Sequence, residues 1–113
     1  MSGDRLKSGD LFAGVPARLE EEETAVLAEL PGGARIERIV STGQASPDGF
    51  WYDQDWTEWF VVLSGSAGVP IEGEAAARIL GPGGYLEILP HVRHRVDWTD
   101  ADEPTVWLAV HVK

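Results

Sequence analysis

The sequence predicts an all-β fold, a sandwich or barrel of antiparallel strands behind one short N-terminal helix. Thirteen glycines and seven prolines in 113 residues interrupt the chain often. The apolar runs between them are short, and several alternate polar with apolar at the two-residue period of a strand. The length suits one domain with one modest core.

The elements follow in order. Residues 1–10 are polar, and Leu11 and Phe12 are placed to tuck against the body. Leu19 to Leu30 reads as the helix, with Leu19, Val26, Leu27 and Leu30 at helical spacing. Glu20 to Glu23 would then occupy its first turns, where carboxylates favour the dipole, as a solvated face. Pro31-Gly32-Gly33 ends it. Strands are expected over Ala34–Thr42, Phe50–Gln54, Glu58–Ser64, Ala67–Glu72, Ala76–Leu80, Tyr85–Leu89, Arg93–Trp98 and Thr105–Val112. Ser46-Pro47-Asp48-Gly49 and Gly81-Pro82-Gly83-Gly84 are turn signals. The chain divides into an arm and helix over 1–33 and a barrel over 34–113, within a single domain.

Nine basic residues against nineteen acidic ones give a net charge of −10. That balance argues against nucleic acid and anionic membranes as partners. The absence of cysteine excludes disulfides, thiolate metal sites and thiol nucleophiles. Met1 to Asp10 contains no apolar run of signal-peptide length, and no stretch would span a bilayer. The expectation is a soluble, cytoplasmic protein. Gly81 to Gly84 leads into a strand, which excludes a phosphate-binding glycine loop.

Strand parity locates a pocket. His94, Val96 and Trp98 share one face of their strand, and Arg93, Arg95 and Asp97 take the solvent face. Glu58, Phe60 and Val62 alternate with Trp59, Val61 and Leu63, so that strand is apolar on both sides. Val106, Leu108 and Val110 against Trp107, Ala109 and His111 repeat the pattern. One sheet face therefore needs a cover. A second subunit, giving a homodimer, is the first reading, and the N-terminal segment is its rival. An inward Glu58 must be paired, protonated or metal-bound, and His94 is its natural partner. Tyr52, Gln54, Phe60, His91 and Trp98 complete the expected pocket. His111 is read as structural, facing either the barrel or solvent.

Glu58-Trp-Phe-Val-Val-Leu-Ser-Gly65 resembles the end of the first cupin motif, a glutamate followed seven positions later by glycine. Gly83-Gly-Tyr-Leu-Glu-Ile-Leu-Pro-His-Val-Arg-His94 is similar to the second. There Leu89 replaces the usual proline, with Pro90 next, and His91 stands where the family has glycine. The resemblance spans about residues 34–112 and implies a cupin jelly-roll barrel of two antiparallel sheets. It also implies a divalent metal ion (zinc, iron, nickel or manganese) held by Glu58, His94 and a preceding His-x-His. That pair is missing here. Tyr52 and Gln54 take its places in one register, Trp51 and Asp53 in the other, and parity favours the first.

Three functions stay open at this point. One is small-molecule binding beside an incomplete metal site. A second is a metal-dependent dioxygenase or isomerase, with Gln54 or Asp53 joining Glu58 and His94 as ligands. The third is metal-free acid–base catalysis by His94 and Glu58, assisted by Tyr52.

Overall fold

The computed structural model describes residues 5–113, and the first four residues of the polar start lie outside that range. The described chain is all-β. Its strands are β1 (Glu23–Leu30), β2 (Ala34–Ser41), β3 (Thr57–Ser64), β4 (Ala67–Val69), β5 (Arg78–Leu80), β6 (Tyr85–Ile88), β7 (Trp98–Thr99) and β8 (Thr105–Val112). Five form one sheet in the order β1-β2-β8-β3-β6, and three form a second in the order β5-β4-β7. Every pairing is antiparallel. Among the described residues no helix is long and apolar enough to cross a membrane.

The expected helix is a strand. Glu23–Leu30 pairs with β2 as a hairpin, and Gly32 and Gly33 turn it at φ of 95° and 94°. The register slips between Val26 and Ala28, leaving Leu27 as an extra residue. Such a bulge breaks the two-residue alternation. Val26, Leu27 and Leu30 thereby acquire a spacing that imitates a helical stripe. A lone helix of about twelve residues is marginal in water, whereas pairing with β2 satisfies the backbone cooperatively. The large sheet thus begins at Glu23, ahead of the expected barrel start at residue 34.

Four other strands are shorter than expected, and Ala67–Glu72 and Ala76–Leu80 keep only Ala67–Val69 and Arg78–Leu80. Phe50–Gln54 contributes only a bridge at Tyr52, whose N–H donates to the His94 carbonyl at 2.7 Å. Within Arg93–Trp98, His94 bridges Tyr52 and Ile71, and a ladder forms only at Trp98–Thr99. His94 is therefore held by its backbone between two separate segments.

The core lies between the sheets and gathers Phe60, Val62, Ala67, Val69, Leu80, Ile88, Trp107 and Ala109. Phe60 and Trp107 meet edge to face, with ring centroids 5.5 Å apart. The opposite face of the large sheet is also apolar. The arm covers one end of it: Arg38 donates to the carbonyls of Leu11 and Ala13, and the Leu19 N–H donates to Thr42 Oγ1. Beneath that end Val40 and Val106 are fully buried. Leu30, Val112 and Tyr85, on the same face beyond the arm, remain exposed.

Candidate functional site

A cavity of about 440 Å³ opens between the large sheet and the segments bridged at His94. Glu58 and Phe60 reach it from β3, Trp107 and His111 from β8, and Glu37 and Ile39 from β2. Cross-strand register explains the grouping, since Glu58 sits opposite His111 and Ala109 sits opposite both Phe60 and Glu37. Tyr52, Gln54, His94 and Val96 close the other side. The segment leading into β1 and the start of that strand form the rim, with Glu20, Glu21, Glu22 and Thr24.

Two imidazoles are locked in opposite senses. His94 is 3% exposed, and its Nδ1 lies 2.9 Å from the Val92 carbonyl. A carbonyl only accepts, so Nδ1 carries the proton. When the ring is neutral, Nε2 is a lone pair, 3.6 Å from Glu58 Oε1. His111 is the reverse. The Trp56 indole N–H donates to its Nδ1 at 2.8 Å, so its proton sits on Nε2 and is donated to Glu37 at 2.9 Å. The other Glu37 oxygen pairs with Arg35 Nε at 3.0 Å. Along the chain of contacts Arg35–Glu37–His111–Trp56 both ring nitrogens of His111 are hydrogen-bonded, and Glu37 stands at ion-pair distance from Arg35.

Glu58 stands outside that chain. It is 9% exposed, yet its nearest cationic or imidazole nitrogens are His94 Nε2 at 3.6 Å and His111 Nε2 at 3.8 Å. Both distances exceed a hydrogen bond. Gln54 Oε1 is likewise buried without a donor among the described residues. Glu22 accepts from Ser41 Oγ at 2.8 Å. The residue keeps part of its surface in solvent, but desolvation of the carboxyl pushes its pKa above the ordinary 4.5; the Ser41 bond opposes this and Glu58 adds to it. Desolvation, then Glu22 and Glu58, also raise the Tyr52 pKa, keeping the phenol neutral.

These residues do not fit a resident metal ion. The described residues hold no group of three histidine, aspartate or glutamate side chains positioned for one ion. Both His111 nitrogens are occupied, Glu37 is shared between Arg35 and His111, and a neutral phenol is a poor ligand. Glu58 and His94 are left with one amide oxygen.

Of the expected pocket residues, Tyr52, Gln54, Glu58, Phe60 and His94 line the cavity, so the register with Tyr52 and Gln54 inward is the one formed. His91 and Trp98 lie elsewhere. His91 occupies an exposed turn and contacts Asp53 at 2.7 Å, which removes Asp53 from the pocket as well. Its φ of 64° is the left-handed conformation that glycine adopts easily, at the position where the family has glycine. Trp98 packs across Gly68 on the small sheet. Glu22, Glu37 and His111 are additions to the expected set. Parity had paired His111 with Trp107 and Ala109, which was the available signal. Nothing local marked Glu22, which belongs to the run read as a solvated helix face.

A two-sheet antiparallel barrel enclosing a glutamate and a histidine at the ends of two spaced motifs defines a cupin. No family model matches the chain, and no curated protein does. Solved structures do. One from Ralstonia eutropha, named a "putative mannose-6-phosphate isomerase", is 54% identical, with 96% of this chain and 99% of that one covered and a TM-score of 0.92. A cupin superfamily protein from Desulfitobacterium hafniense is 15% identical over 87% and 83% of the two chains, with a TM-score of 0.69. A cupin protein from Bacteroides fragilis is 22% identical over 87% and 82%, with a TM-score of 0.65. The chain has the fold of the cupin superfamily.

Proposed function

We propose that this cupin binds a small organic molecule in the cavity around Glu58 and His94, without a resident metal. The observation that carries this reading is a pair of buried groups, the Glu58 carboxylate and, with its ring neutral, His94 Nε2, turned toward a cavity of ligand size with no donor from the described residues. Ile39, Phe60, Val96 and Trp107 supply the apolar walls. The name carried by the Ralstonia eutropha structure raises a phosphorylated sugar as ligand. Phosphate recognition draws on arginine, lysine or converging N–H groups, and this lining has five glutamates and neither arginine nor lysine. A sugar phosphate is therefore not the reading the cavity favours.

Metal-free acid–base chemistry is a second reading, favoured by the fixed tautomer of His94. A lone pair held toward the cavity can take a proton from a bound substrate.

Elemental analysis tests the metal-free reading. Protein purified without chelator or affinity-column metal should carry well under one metal ion per chain, even after incubation with zinc, iron, nickel or manganese. Near-stoichiometric metal, lost in Glu58→Ala and His94→Ala, would overturn it.

A further inference from the structure

Building on this pocket, we infer that its ligand carries a positively charged, hydrogen-bond-donating nitrogen, an ammonium or amidinium group on an apolar body. With His94 neutral, three acceptors in the cavity lining lack donors among the described residues: Glu58, His94 Nε2 and Gln54 Oε1. Among the described lining residues no basic side chain answers them. The nearby Arg35 is outside the lining and lies at ion-pair distance from Glu37, and the His111 N–H is donated to the same carboxylate. Glu22 adds a further carboxylate whose hydrogen-bond donor is a serine hydroxyl.

An ammonium has three N–H donors and no acceptor, the complement of such a floor. A hydroxyl brings one donor and its own lone pairs. An anion brings no donors and meets like charge. A buried unpaired carboxylate is costly, and a cation laid against it recovers that cost while making charge-assisted hydrogen bonds. Phe60, Trp107 and Tyr52 add aromatic surface suited to a cation's apolar body. A bare divalent ion lacks the converging side chains it needs.

The test is calorimetric titration of the full chain with matched probes: benzylamine and phenethylamine, their alcohols, mannose and mannose 6-phosphate. Hydrogen bonds to charged groups discriminate by about tenfold or more, so each amine should bind at least about tenfold tighter than its alcohol. Glu58→Gln should erase that preference, and Glu22→Gln should reduce it. Glu74→Gln, on a surface pair with Arg78 outside the cavity, should leave it unchanged. Circular dichroism checks that each variant is folded. Alcohols binding as tightly as amines, mannose 6-phosphate binding best, or an amine preference that survives Glu58→Gln would overturn the charge assignment and leave the pocket reading standing. No saturable binding of any probe at millimolar concentration would overturn both.

Discussion

Replacing Glu58 by glutamine should make the free protein more stable. In the neutral state of His94 the Glu58 carboxylate faces a lone pair at 3.6 Å, so two acceptors confront each other in a buried place. A glutamine of nearly the same shape turns an N–H toward His94 Nε2 and leaves its oxygen near the His111 N–H. The charge is removed and a donor is supplied at once. Leaving a buried polar group unsatisfied costs about 1–3 kcal/mol, and a charge costs more. The cavity gives Glu58 some contact with water, so the low end applies, a gain of about 1–2 kcal/mol. An unfolding entropy of about 2.1 cal/mol/K per residue makes 1 kcal/mol worth about 4 °C for a chain of this length. The melting temperature should therefore rise by about 4–8 °C. The assay is reversible thermal unfolding by calorimetry without ligand, near pH 8, where an imidazole in water is neutral. A fall in melting temperature would refute the reasoning, since it would mean that Glu58 already makes a favourable bond within the protein.

The remaining predictions concern Glu22, Gly65 and the outer sheet. Because the folded-state pKa of Glu22 is raised, its proton is held more tightly in the fold, and stability is lost as pH rises through that raised range. Glu22→Gln should thus be more stable than the parent at neutral pH, and the gap should close as pH falls toward 4.5; a gap that widens on acidification refutes the assignment. Gly65 sits at φ 81°, and a Cβ there would run into Thr105. Gly65→Ala should cost about 2–4 kcal/mol, combining the left-handed backbone with overpacking, as read by urea unfolding. A neutral result would show that Thr105 moves aside. A second copy of the chain is proposed to cover the apolar outer face beyond the arm. Light scattering at micromolar concentration should give twice 12.3 kDa, and a mass near 12.3 kDa refutes the dimer.

Much of the barrel was legible locally. β2, β3, β6 and β8 fall within a residue or two of the runs read from period and turn signals, because each carries a clear alternation bounded by glycine or proline. Parity turned Glu58, Phe60 and His94 inward, and it chose Tyr52 and Gln54 over Trp51 and Asp53 once the motif resemblance had offered both pairs. The failures were non-local or came from irregular backbone. Leu27 is a bulge residue, and bulges corrupt the period on which helix and strand are told apart. Glu37 and His111 are 74 positions apart and meet only because β2 and β8 pair. An inward glutamate on β2 looks like a solvent residue until its arginine and histidine partners are in place. Trp98 followed its strand's parity only in principle, because no continuous strand connects it to His94.

The rim of the cavity belongs to the chain's leading segment, and this ties two events together. Leu19 is fastened to Thr42 and Gln44, and Glu22 to Ser41, so residues 19–22 form a strap laid over the mouth. Any occupant that touches Glu22 binds the strapped form more tightly than the unstrapped one. By linkage, occupancy must then hold the strap down, and loosening the strap must weaken retention by the same factor. Saturating ligand should accordingly slow proteolysis of the leading segment, and deleting that segment should speed ligand release.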